Sequence, residues 1–558
     1  MITINATLGT GLYWRSGQIL ELAGPVAVLV SFVVITVLVY FVMQCISELL
    51  CRWPVPGALS VYVSKFIDHE LGIAVGIMYW LTYSISFAAI IGVVVGEFHY
   101  WSSVELEVFD IIVIYLAIPV ALVFLNLLPV KYYGWCEVAF GTIKLLFLLT
   151  IGVTLFVLAV TQDTSDGAAY YNWHDNAGSW DTEASPSPFP AYLTAISTAV
   201  FAFVGIEVIA ACALEAKPAP SSELPTRNEA RAQTPTLDRM TRFSAVWLSV
   251  IVGAAYTITG VFATLNVKWD DDNLPILSWL NIMSPCGSVS DSAFVLAPYQ
   301  RNLHTLASVF NAFLIFTAVT CANTNLYIAS RTLYGLTRQL RDSNNWFARR
   351  LSYFGKTTPK GVPKRAVFLS AIFLWVPFIQ LQGYSSSNNT CSKSSTSAST
   401  SQPSQKIQNV IDILSELGSV GVVIVWGWEC VAFIRYHYYM RKHRDYLSRH
   451  GITRLKRSAD DYPYRSQGQP AIGYIAALGC LIVLGLIDSG SIWHQFYTES
   501  FLAEYLAVIV FFALWGFIKI FRRGIWFTRR DYFGIENDRE AIYGVFNELD
   551  NMQPDPSE

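Results

Sequence analysis

Long uninterrupted apolar runs, parted by short polar loops, recur from the first residues of this chain to about position 519. A helix that crosses the hydrocarbon core of a bilayer needs about 20 such residues. On that measure the pattern predicts twelve spans, near residues 1–22, 24–50, 72–98, 110–128, 138–161, 191–213, 243–265, 303–337, 366–383, 408–433, 471–488 and 501–519. The expectation is an all-α polytopic membrane domain over residues 1–519, followed by a cytoplasmic tail at 520–558.

Composition agrees with the pattern. Apolar residues make up 53% of the 558 positions and charged residues 14%, against about 25% charge in an ordinary soluble chain. A net charge of −3 points to no nucleic-acid partner. The distribution of charge is more informative than its sum. With the amino terminus inside, the loops near 51–71, 129–137, 214–242, 338–365 and 434–470 and the tail hold 32 of the 38 Lys and Arg, counting Arg331 at the end of the eighth span and Lys519 at the end of the last with the inner side. The opposite side holds Lys268, Arg301, Lys393 and Lys406, and only Arg15 and Lys144 fall inside spans. The positive-inside rule then puts both termini in the cytoplasm.

The outer loops fit that orientation. Residues 384–406 are rich in serine, ten of 23, and cannot form a packed core. They include Asn388-Asn389-Thr390, a glycosylation sequon at Asn388 that has meaning only on the outer side. Cys286 and Cys391 are both expected outside, where a disulfide between them is weakly supported. The remaining cysteines show no metal spacing, and those in apolar runs read as small packing residues. The amino terminus lacks the basic flank of a cleavable signal peptide. No nucleophile–base set or phosphate loop stands out, which argues against an enzyme.

Two spans carry features that simple membrane anchors lack. In the sixth, Gly205 is followed by Glu207, the only acidic or basic residue between Pro190 and Leu214. An intramembrane carboxylate is expensive and rarely faces lipid. Gly205 alone would read as close helix packing, but that leaves Glu207 unexplained. In the first span, Gly9-Thr10-Gly11 interrupts the helix, since each glycine costs about 1 kcal/mol relative to alanine in a helix interior. The alternative there is a flexible turn of a shortened helix. Taken in fives, the first and sixth spans open equivalent halves of opposite orientation. A matched pair of interrupted spans is the sequence sign of a midplane binding site between inverted repeats. Unwound backbone exposes N–H and C=O groups, and a half-helix N-terminus offers partial positive charge to an anion such as a carboxylate. Broken helices favour alternating access over a channel.

Several stretches are similar to the amino acid permeases of the amino acid–polyamine–organocation superfamily, fungal branch. The first-helix Gly9-Thr10-Gly11 resembles that family's Gly-(Thr/Ser)-Gly break, and Ala23-Gly24-Pro25 with Val39 to Glu48 resembles its second helix. Pro54 to Tyr62 matches the following loop, Phe203 to Glu207 with Glu215-Ala216-Lys217 the sixth-helix signature, and Gly361-Val362-Pro363 the start of the ninth helix. The most specific stretch is Asn323 to Tyr334, which resembles the eighth-helix motif almost position for position.

The resemblance implies a LeuT-like fold of 5+5 inverted repeats, broken in helices 1 and 6, with helices 11–12 added. It implies a secondary transporter that imports an amino acid across the plasma membrane by proton symport, with no cofactor and the proton gradient as energy source. The α-carboxylate would meet backbone amides around Gly9, Thr10 and Gly11. The α-amino group would meet carbonyls freed near Phe203, Val204 and Gly205, with Phe203 as an aromatic gate, Glu207 beside the substrate and Asn323 lining the pocket. Lys144 resembles a fifth-helix lysine that takes the place of a sodium ion in proton-coupled relatives, although its long stem could also snorkel to the interface. Glu137, before it, is expected at the interface, and Glu97 is given no role. The family usually has a basic tail ahead of the first helix and two glycines where this chain has Asn5-Ala6. That leaves either a truncated start or a chain without the tail. The alternative from another class is a non-transporting amino acid sensor on the same fold. The amino acid itself, the oligomeric state, protein partners and the role of the 217–242 loop are left open.

Overall fold

The computed structural model describes residues 1–98, 100–101, 112–162, 167–212, 243–277, 290, 292–338, 346–358, 361–378, 403–450, 464–486, 498–523 and 539–552. Every regular element among them is helical. The Ser-rich segment, Asn388, Cys286, Cys391 and the 217–242 loop lie outside the described residues.

The first predicted span is two helices. α1 (Ile2–Thr7) ends at Leu8 with ψ 77, and Gly9 is extended before α2 (Thr10–Arg52) begins. α2 is itself divided, because Gly24 has φ 74 and is followed by Pro25. Glycine tolerates that left-handed conformation and proline cannot continue the helical ladder. The first and second predicted spans therefore meet at Gly24 with no loop between them.

A short helix, α3 (Ala58–Phe66), precedes α4 (His69–Phe98). α5 (Ile118–Asn126) continues a π turn over Val113–Ala117, and α6 (Val130–Val160) follows after Pro129. The sequence pattern had placed the start of α6 near 138. Proline's fixed φ suits the approach to a helix, and the helix begins eight residues earlier. Glu137, expected at the interface, is thereby two turns inside α6 and 1% exposed.

The second half repeats the interruption. α7 (Pro188–Phe203) ends at Val204 with ψ 129, Gly205 has φ 104, a 3-10 turn covers Ile206–Val208, and α8 (Ile209–Cys212) resumes. Beyond it lie α9 (Ser249–Asn266), α10 (Ala293–Gln300) and α11 (His304–Arg338). α12 (Lys364–Ser370) runs into a 3-10 segment, Ala371–Phe378. α13 (Pro403–Lys442), α14 (Ala471–Leu486) and α15 (Thr498–Arg523) complete the membrane domain. Among the described residues seven helices are long and apolar enough to cross a membrane, and three more apolar helices are shorter. With α2 divided at Gly24, and α12 with its 3-10 extension as the ninth, these supply a helix for each predicted span.

The tail is not featureless. α16 (Arg539–Asn551) buries Ile542, Phe546 and Leu549, spaced for one helical face. Phe546 packs on Trp53, Phe66 and Tyr436. Asp550 accepts from Trp53 Nε1 at 2.9 Å and Lys65 pairs with Glu548. The helix thus clasps the end of α2, α3 and α13.

Candidate functional site

The two interruptions meet backbone to backbone. A Cβ added at Gly11 would stand 2.5 Å from Ala202 Cα, and one added at Gly205 would stand 2.7 Å from Ala6 Cβ. Real carbon atoms do not approach so closely. Glycine is required at Gly205 for φ as well, so both breaks need residues without a side chain. The carbonyls freed at the end of α1 are taken by other helices: Tyr256 of α9 donates to Thr7 O, and Cys321 of α11 donates to Ala6 O at 3.5 Å. At the other side of the gap, α2 begins at Thr10 with no side-chain cap from Gly9. Its first amides and the helix dipole face the break between the halves.

Glu207 is fully buried just past the second break. Its Oε1 accepts from Tyr79 Oη at 3.2 Å and from Tyr83 Oη, both on α4, while Oε2 accepts from Trp426 Nε1 of α13 at 3.2 Å. Three neutral donors thus stabilise the carboxylate, and they tie the broken helix to two others. Val204 is half-buried beside it. Phe203 is enclosed by Phe32 and Tyr256, with ring centroids 6.4 and 5.3 Å away. Phe201 of α7 lies 6.3 Å from Trp14, in the first turns of α2 past the break.

A second buried network lies at α1. Lys144 Nζ donates to the main-chain oxygen of Asn5 at 3.0 Å. Asn5 Nδ2 donates to Glu137 Oε2 at 2.6 Å and to the Glu137 carbonyl at 2.8 Å. Asn323 Nδ2 donates to Glu137 Oε1 at 3.0 Å, and its Oδ1 accepts from Asn126 Nδ2 at 2.9 Å. Asn323 is therefore engaged with α5 and α6, whereas Lys144 is drawn to the end of α1 next to Gly9.

Sequence reasoning missed an ion pair. Arg15 and Glu416 meet at 2.7 Å with side chains 0% and 1% exposed. The Arg15 guanidinium also bonds Gln18 Oε1 at 2.8 Å and lies 4.6 Å from the Trp14 ring and 5.0 Å from the Phe201 ring. One signal was available, since a charge within a span asks for a partner. Nothing in the sequence named Glu416.

Two interrupted helices pressed together inside a helical bundle, with buried charges on either side, define an integral membrane protein of the transporter kind. The amino acid permease family model matches residues 1–525. The chain belongs to the amino acid permease family. It is 26% identical over 550 residues to the basic amino-acid permease of Saccharomyces cerevisiae, covering 97% of this chain and 83% of that one. The lysine-specific permease of the same yeast is 24% identical over 99% of this chain and 79% of its own. Its dicarboxylic amino acid permease is also 24% identical, over 93% and 75%. A manganese transporter of Eremococcus coleocola superposes with a TM-score of 0.51 at 11% identity, covering 99% of this chain and 94% of that structure, and shares the fold.

Proposed function

We propose that this permease imports an amino acid by proton symport, alternating access to a site between the two helix breaks. The backbone contact of Gly11 with Ala202 and of Gly205 with Ala6 carries the reading. Two helices unwound against each other offer an anion-accepting N-terminus and carbonyl groups, which suits a zwitterion. The α-carboxylate binds the amides at Gly9, Thr10 and Gly11, and the α-amino group binds near Phe203, Val204 and Gly205. Glu207 supplies a negative charge behind that position. The lysine at 144 carries the coupling proton, since its ammonium bonds a carbonyl of the segment that must move. In this reading the protein works at the plasma membrane with both termini inside.

The relatives named above include permeases for basic and for dicarboxylic amino acids, so substrate choice is a question for competition. Uptake of labelled amino acids into cells stripped of their own permeases, with each of the twenty as competitor and with a proton ionophore, tests the proposal. Ionophore-sensitive uptake of a defined subset is expected. A surface-expressed protein that takes up none of them overturns it. No observation favours the sensor alternative.

A further inference from the structure

Lys144 and Glu137 are seven residues apart on α6, about two turns on one face, and they grip the same residue from opposite ends. Lys144 holds the main-chain oxygen of Asn5, and Glu137 holds its side-chain amide. Asn5 is the middle of α1, whose sequence ITINAT carries no ionisable side chain. The other carboxylate oxygen of Glu137 is taken by Asn323, with Thr324 Oγ1 at 3.4 Å, both on α11. Among the described residues, every side-chain donor to this carboxylate comes from α1 or α11. Helix α1 is thus fastened to α6 and α11 through one buried carboxylate.

We infer that Glu137 is a positioning residue for coupling, which ties α1 in place while Lys144 is protonated and releases it when the proton leaves. The inference rests on the proton-coupled reading of Lys144 and adds the group that converts its charge into movement. With both groups charged, Asn5 bridges a compensated pair. Once Lys144 is neutral, the carbonyl of Asn5 loses its ammonium donor and Glu137 is left as an uncompensated buried charge, a costly arrangement in a membrane. Moving α1 away admits water to the carboxylate in place of the Asn5 amide and so relieves it. Asn5 Oδ1 is buried without a hydrogen-bond partner among the described residues. The amide is therefore held for its donor side, towards Glu137. Among the described residues, the other titratable groups around the network are Tyr133 of α6, Cys321 and Tyr327 of α11, Tyr256 of α9 and Glu207 on the 3-10 turn packed against α1. Tyr133 is stacked on Tyr327 at 4.4 Å, and Arg331 lies 4.0 Å from the Tyr327 ring.

The test compares wild type, Glu137→Gln, Glu137→Asp and Asn5→Ala, in amino acid uptake against external pH and in exchange of preloaded amino acid without a gradient. Wild-type uptake is expected to fall as pH rises. In Glu137→Gln and Asn5→Ala the half-maximal pH is expected to move towards acid by about one unit. Gradient-driven accumulation at neutral pH should drop roughly tenfold while exchange stays within about twofold. Glu137→Asp should recover part of the wild-type profile. If Glu137→Gln does not reach the membrane, Asn5→Ala carries the same prediction. Unchanged pH profiles beside a proton-dependent wild type overturn the inference and leave the proposed function standing. Equal loss of uptake and exchange in Glu137→Gln and Asn5→Ala also overturns it, in favour of a purely structural role. A wild type indifferent to pH and ionophore removes the coupling reading and this inference with it.

Discussion

Replacing Gly11 with alanine adds one methyl group at the point where the two interrupted helices touch. Its Cβ would lie 2.5 Å from Ala202 Cα, 2.9 Å from Ala202 N and 3.1 Å from Phe201 O. All three are backbone atoms, so no side chain can rotate away. Carbon atoms rest about 3.5–4.0 Å apart, which requires α2 and α7 to separate by about 1 Å. Overpacking of this kind costs about 1–3 kcal/mol, equivalent to roughly a 5- to 150-fold shift against the state in which the helices meet. In the proposed cycle, transport passes through that state. The initial uptake rate, normalised to surface protein, should therefore fall by roughly tenfold or more. Gly134→Ala is the matched control, because nothing lies within 4 Å of a Cβ at Gly134, and it should retain wild-type uptake within about twofold. Wild-type rates in Gly11→Ala would refute the claim that the breaks work in contact.

Glu207→Gln keeps the shape but turns one acceptor into a donor facing Tyr79 and Tyr83 or Trp426. Losing a hydrogen bond to a charged group costs about 1.5–3 kcal/mol, and uptake at equal surface expression should fall at least roughly tenfold. Arg15→Met strands the Glu416 carboxylate in the interior at a cost of about 3–5 kcal/mol. The purified protein should unfold at a lower temperature in detergent, and adding Glu416→Leu should restore most of the loss. Phe546→Ala empties the seat formed by Trp53, Phe66 and Tyr436, where a core Phe→Ala change costs about 3–5 kcal/mol. Proteolysis of inside-out vesicles should then cleave the tail faster than in wild type.

The helix breaks were legible because their causes are local. Glycine pairs weaken a helix wherever they occur, and Gly9, Gly11 and Gly205 stand at interruptions. The spans were legible from length and apolarity, although a start near 138 for α6 overlooked Pro129 and so put Glu137 at the membrane surface. The surroundings of Glu207 were not legible. Tyr79, Tyr83 and Trp426 lie 128, 124 and 219 positions away, and only the packing of α4 and α13 against the break brings them together. Asn323 shows the limit of motif reading, since its residues match the family while its side chain turns to Glu137 and Asn126. Two features carried overlooked signals. Arg15 was counted as a charge within a span without a search for its anion, and the spacing of Ile542, Phe546 and Leu549 marks an amphipathic face in the tail.

The most direct test of the account is transport by the purified protein in lipid vesicles, using the amino acid that competition identifies. With the vesicle interior more alkaline than the medium, the account predicts accumulation above the external concentration, abolished by a proton ionophore and by Gly11→Ala. Binding of that amino acid without accumulation under an imposed proton gradient would contradict it.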